Sequence, residues 1–285
     1  MVKNIDLDHL IRAANELEPL PASASRLASR QDWEACDLSE LVEIIELDQA
    51  LTMKLLRASN SAANYRGGEE ITTVMEAVSR LGTAQVLTFA LASHSRKYLQ
   101  QALVGYGMKE NDLWEHAVLT ALVTETLQRF CNIKLPSEIF GAALLHDIGK
   151  LVLNRFLDPK ILGYLERATT EGLQDPLAAE REILQITHAE LGSIVAQNWR
   201  LPEIITRGIM YHHTPEEALD PFCDAIYLAN EAANQVKAAL TGKERPFHPD
   251  EDALARLGFD LHDLPKLIEV SSFKFDEVLI RYNLS

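Results

Sequence analysis

Ile139-Phe140-Gly141-Ala142-Ala143-Leu144-Leu145-His146-Asp147-Ile148-Gly149-Lys150 decides how the rest of the chain is read. The apolar run over 139–145 is far too short to cross a bilayer. It reads as a buried helix that delivers a histidine and an aspartate to its polar end. A carboxylate in such a place needs a cation or several hydrogen bonds to offset its desolvation.

Working outward from this pair, residues 106–240 hold five of the nine histidines, near expected helix ends. Asp112 and His116 are four residues apart, so a helix puts both on one face. His188 follows Thr187 in Thr187-His188-Ala189-Glu190, a capping-box pattern that places it in a first helical turn. There the helix dipole disfavours imidazolium and leaves the neutral ring, which is the metal-binding form. His212-His213 precedes Thr214-Pro215, and a proline at a first helical position marks a junction between helices. Taken singly, each histidine is more often structural or exposed than a ligand. Together they suit one shared divalent site of mixed nitrogen and oxygen donors, which fits Fe, Mn, Zn or Ni better than Ca. Such a site activates a water for attack on a phosphoester, with Lys150 near enough to meet phosphate charge.

The remainder predicts an all-α protein. Asp37-Leu38-Ser39-Glu40 and Thr73-Val74-Met75-Glu76 are capping-box patterns. Leu41, Ile44, Ile45 and Leu51 follow the first at helical spacing, and Met75, Val78, Leu81, Val86, Phe89 and Ala90 follow the second. No stretch alternates long enough to predict a strand. Gly67-Gly68 and Gly105-Tyr106-Gly107 are breaks, the second dividing the chain into lobes over 1–105 and 106–240. The run from Thr241 to Pro249 closes the second lobe. A helical extension over 241–285 follows, with Leu254, Leu257, Leu261, Leu264 and Leu267 as its apolar positions. The first lobe, with only His9 and His94, reads as a packing or interaction module.

Net charge is −15, from 27 Lys and Arg against 42 Asp and Glu. This disfavours direct nucleic-acid binding, which draws affinity from neutralised phosphates, and equally an anionic membrane surface. A small anionic ligand held by local cations or a metal stays compatible with it. Cys36, Cys131 and Cys223 are widely spaced and odd in number, so they read as small buried apolar residues rather than a disulfide framework. The opening residues lack a signal-peptide pattern, which predicts a cytoplasmic protein.

At this point a family resemblance emerges. His116, His146-Asp147-Ile148-Gly149-Lys150, His188 and His212-His213 resemble the HD superfamily of metal-dependent phosphohydrolases, in an arrangement similar to the HD-GYP cyclic-di-GMP phosphodiesterase branch. Leu20-Pro21, Ile45-Glu46-Leu47-Asp48-Gln49-Ala50-Leu51, Leu55-Leu56-Arg57-Ala58-Ser59-Asn60-Ser61 and Ala77-Val78-Ser79-Arg80-Leu81-Gly82 resemble the HDOD domain, over about residues 15 to 240. The resemblance implies a two-lobed helical fold in bacterial signalling proteins, most of which act as regulatory modules. It also implies metal ligation by His116, His146, Asp147, His188, His212 and His213, an acidic ligand at Asp112, and phosphate contact by Lys150. Two departures stand out. The Gly-Tyr-Pro loop after the His-His pair is absent, and the last ligand aspartate of HD enzymes falls on Asn230. Both weaken the step from metal site to hydrolysis.

Two functions follow as expectations. The first is a signal-transduction protein with a divalent-metal site that binds signalling proteins or a small anionic ligand. The second is a metal-dependent phosphohydrolase acting on nucleotides or cyclic dinucleotides, in which Asp147 and Lys150 carry the chemistry. A metal-free histidine core is the remaining alternative. The 285 residues include no receiver, GGDEF or kinase domain, so signalling input is expected through a separate molecule.

Overall fold

The computed structural model describes residues 7–18, 23, 26–27, 38–60, 70–136, 138–170, 176–240, 247 and 249–281. Cys36, the Asp37 cap, Leu20-Pro21, Ser61, Gly67-Gly68 and most of 241–249 lie outside them. Among the described residues the regular elements are helices, joined at one place by an isolated antiparallel bridge between Leu103 and Met108. None of these helices is long and apolar enough to cross a membrane.

The first half contains α1 (Leu7–Asn15), α2 (Leu38–Glu46), α3 (Gln49–Ser59), α4 (Val74–Leu81) and α5 (Thr83–Leu99). The Thr73 capping box forms: its hydroxyl accepts from Glu76 N at 3.2 Å, and Glu76 Oε2 accepts from Thr73 N at 3.0 Å. These bonds satisfy backbone donors that a helix start leaves free. Gly82 ends α4 at φ 86°, a conformation that a side chain strains. Leu41, Ile44, Ile45, Leu51, Val78, Val86 and Ala90 are buried as their spacing predicts. Met75 instead faces solvent, because Val74, Ala77 and Val78 form the inward stripe and Met75 lies about 100° off it.

The second half is built around α6 (Asp112–Leu127), whose residues from Leu113 onward are nearly all buried. Its threonines are satisfied within the helix: Thr120 Oγ1 donates to His116 O at 2.8 Å and Thr126 Oγ1 to Leu122 O at 2.9 Å. An apolar helix wrapped on all sides carries His116 into the interior. Around it stand α7 (Ile139–Leu145), α8 (Gly149–Phe156), α9 (Pro159–Thr170), α10 (Pro176–Leu184), α11 (His188–Asn198), α12 (Glu203–Met210), the single turn α13 (Pro215–Ala218) and α14 (Pro221–Leu240). Gly105-Tyr106-Gly107 forms the expected break, a short 3-10 turn ending at Gly107 with φ 61°. The first helix crosses that break. α1 packs on α8 and α11, and Asn198 Nδ2 donates to Asn15 O at 2.7 Å.

The extension forms α15 (Glu251–Leu257) and α16 (Leu264–Arg281), packed on α6 and α14. Its anchor is a two-pronged ion pair in which Arg256 Nε and Nη2 meet the buried Asp224 carboxylate at 2.7 and 2.8 Å. Leu254, Leu257 and Leu267 are buried, whereas Leu261 is exposed on a 3-10 turn.

Candidate metal centre

Asp147 sits in the tight turn between α7 and α8, with its carboxylate almost wholly buried. Five imidazoles surround it. Oδ2 lies 3.3 Å from His146 Nε2 and 3.7 Å from His116 Nε2, while Oδ1 lies 3.2 Å from His188 Nε2 and 3.7 Å from His212 Nε2. His213 Nε2 is 3.1 Å from His188 Nε2. The donor atoms fall into two groups that share Asp147: one with His188, His212 and His213, the other with His116 and His146. Within each group all donor atoms lie within 4.8 Å of one another.

The rings are oriented by partners on their far sides. His146 Nδ1 donates to Ala143 O at 2.6 Å and His212 Nδ1 to Ile209 O at 2.7 Å, each at the end of its helix. A proton fixed on Nδ1 leaves the Nε2 lone pair turned inward, the arrangement a metal-ligating histidine requires. His188 heads α11, whose Thr187 capping box forms as its sequence predicts. Its Nδ1 meets both oxygens of the buried Glu180 at 2.8 Å, and its backbone N–H donates to Glu180 Oε2 at 2.6 Å. Tyr106 OH donates to Glu180 Oε1 at 2.5 Å and thereby ties the Gly105-Tyr106-Gly107 turn to the site.

Without a cation this geometry is poorly satisfied. Buried His146 Nε2 and Asp147 Oδ1 have no hydrogen-bond partner. Such orphaned atoms are rare in folded proteins and call for an unseen partner. The surrounding charges still favour carboxylate at Asp147: despite burial, His146 and Lys150 hold it well below the usual carboxylate range. Burial pushes His212 down to about 3 and drives His116 and His213 well below the usual histidine range. At His188 burial acts the same way, but the Glu180 carboxylate outweighs it and the ring is raised. The neutral rings of His116, His212 and His213 beside an ionised carboxylate form a donor set fit for a divalent transition metal.

Lys150 Nζ lies 2.7 Å from Asp147 Oδ2 and 5.3 Å from the centre of the Tyr106 ring, at the rim. The Asp112 carboxylate is not part of either donor group. It accepts from Lys109 N at 2.8 Å in the first turn of α6 and is spent there. Asn230, on α14, does reach the centre, with Oδ1 2.9 Å from His116 Nε2.

Glu180 and Tyr106 were not legible as site residues. Glu180 sits eight residues before His188, on a different helix, among other charged residues. Replacing Glu180 by Gln is expected to weaken divalent-metal binding about 10- to 100-fold, by loosening the ring it orients; competition with a chelator of known affinity measures this. Gly149 is a second hidden requirement. A methyl there would fall on the His188 carbonyl oxygen and 2.7 Å from Gly192 N, at the crossing of α8 and α11. Gly149→Ala is expected to destabilise the fold by about 3 kcal/mol, read as a lower urea midpoint.

The first half also holds a polar cluster. Ser23 Oγ lies 3.0 Å from Asp48 Oδ2 and 3.2 Å from His94 Nε2, and that ring nitrogen is 3.3 Å from Asp48 Oδ2. Serine and aspartate share one ring nitrogen, so the histidine does not relay a proton between them as a catalytic triad requires. Asp48 Oδ1 caps α3 through Leu51 N at 2.9 Å, and the cluster ties segments together.

A family model, the HDOD domain, matches residues 17–215. The chain belongs to the HDOD family. An uncharacterised relative from Treponema pallidum (strain Nichols) is 26% identical over 225 residues, covering 76% of this chain and 42% of the relative, so the chain spans under half of that protein's length. A structure described as a candidate signal transduction protein from Marinobacter aquaeolei VT8 superposes with a TM-score of 0.75 at 20% identity, covering 100% of this chain and 67% of that one. A candidate phosphohydrolase from Shewanella amazonensis SB2B gives 0.68 at 23% identity, covering 97% and 98%. At these identities the likeness is one of fold, and it agrees with the helical HDOD architecture expected from the motifs.

Proposed function

We propose that this HDOD protein is a bacterial signal-transduction module that binds a divalent cation at Asp147 and acts by engaging a signalling protein or a small anionic ligand. The carrying observation is the buried Asp147 carboxylate with imidazole Nε2 atoms on both of its oxygens. His116, His146, His188, His212 and His213 are the further candidate ligands, with Fe, Mn, Zn or Ni as the candidate metals. His116, His146, Asp147, His188 and His212 are all at most 4% exposed in their side chains, which suits a structural or sensing ion better than one open to substrate.

A second reading is a metal-dependent phosphohydrolase, favoured by Lys150 at the rim. A bound divalent cation supplies Lewis acidity toward a water or a phosphoester oxygen. In that reading Lys150 meets the phosphate charge and Asp147 orients the site. Asn230 at the last acidic position argues against it, since an amide brings no charge to the donor set. Elemental analysis of protein purified without chelator, followed by assay of the metal-loaded protein on nucleotides and cyclic dinucleotides, separates the two. Bound metal without turnover supports the first reading. Turnover that disappears in Asp147→Ala replaces it with the second, and metal-free protein removes both.

A further inference from the structure

We propose that Asn230 and Lys150 limit the centre to one divalent cation, held on the Oδ1 side of Asp147, by occupying the donors on the Oδ2 side. This rests on the metal-binding reading above and specifies its stoichiometry. The two donor groups that share Asp147 look alike as lists of residues, but their hydrogen bonds set them apart.

On the Oδ1 side the donors are free to turn inward. Asp147 Oδ1 is buried and has no hydrogen-bond partner. His188 and His212 carry their Nδ1 atoms on Glu180 and on the Ile209 carbonyl, and His188 Nε2 lies 3.3 Å from His212 Nε2 and 3.1 Å from His213 Nε2. Lone pairs pointed at each other at that distance repel unless a proton or a cation lies between them.

On the Oδ2 side most donors are spent. Lys150 Nζ already pairs with Asp147 Oδ2 at 2.7 Å. His116 Nε2 is engaged by the Asn230 amide at 2.9 Å. Asn234 Nδ2 donates to the same Oδ1 at 3.4 Å, so Asn230 presents its oxygen and His116 Nε2 carries the hydrogen. Turned the other way, the amide would donate to the Nε2 lone pair, and the nitrogen would be engaged all the same. His146 Nε2 alone remains without a partner, and one imidazole does not hold a second ion.

Charge points the same way. With neutral imidazole ligands, the carboxylates of Asp147 and Glu180 set against the Lys150 ammonium leave one negative charge in this buried region. One divalent cation reverses that to a single positive charge. A second would leave three buried positive charges with no anion to offset them. An aspartate at position 230 would supply both the missing charge and the missing oxygen donor.

The test uses the full chain, stripped with chelator and titrated with Co(II), reading visible d–d absorption and metal per chain by elemental analysis. One equivalent is expected in the wild type, with no further spectral change beyond it, and two in Asn230→Asp. Two tight equivalents in the wild type would overturn the inference while leaving the metal-binding reading intact. An Asn230→Asp protein that folds, by circular dichroism, and stays at one equivalent would overturn it too. If that variant does not fold, the wild-type end point decides alone. No binding in the wild type removes the underlying reading together with this inference.

Discussion

Asp147→Asn protein, purified without chelator, is expected to contain no divalent metal. The substitution keeps the shape of the side chain and removes its charge, so the five rings should stay packed while the one anionic donor shared by both groups is lost. Substitutions at oriented groups behind metal ligands already cost about 10- to 100-fold in affinity, and loss of a shared anionic ligand is expected to cost at least about 100-fold. Stability provides an independent readout. A ligand at 100 times its dissociation constant stabilises the folded state by about 2.7 kcal/mol. Wild-type protein should therefore gain a higher melting temperature when metal is restored, and Asp147→Asn should gain none. An equal gain in both proteins would place the metal elsewhere.

The sequence made the fold and the donors legible for different reasons. The helices followed from capping boxes and apolar spacing, which are local signals, and Thr73 and Thr187 cap as their neighbours require. The donors were legible because histidine and aspartate at helix ends are rare in apolar surroundings. What stayed hidden was non-local. Glu180 and Tyr106 meet only because the turn at Gly105-Tyr106-Gly107 packs on α8 and α9, and neither has a distinctive neighbour in the chain. Asp112 shares a helix face with His116, yet the first-turn bond to Lys109 N takes its carboxylate away from the centre. Helical spacing fixes a face but not the competition between a backbone donor and a distant cluster. Asn230 was visible only by resemblance, and its bond to His116 gives that position a physical meaning.

Metal-free protein is expected to be most stable near pH 6.5 and to lose stability on both sides of it. His116, His212 and His213 are held neutral in the folded state, with His212 pushed down to about 3 by burial. Below the ordinary histidine value of about 6.5, each takes up a proton in the unfolded chain and none in the folded one. The unfolded state then binds about three more protons, and unfolding becomes easier by about 4 kcal/mol for each pH unit of acidification. His188 has the opposite sign. Glu180 raises it against the effect of burial, so its contribution is complete below 6.5 and is lost as pH rises through the raised value. It adds no slope in the acid window. A cation bound at His188 Nε2 competes with that proton, so the stabilisation that added metal brings should grow as pH rises. Urea midpoints from pH 5 to 8, with chelator and with metal, measure both trends. A flat chelator-treated profile between pH 6.5 and 5 would mean that His116, His212 and His213 take up protons in the folded protein, and that the centre opens to water.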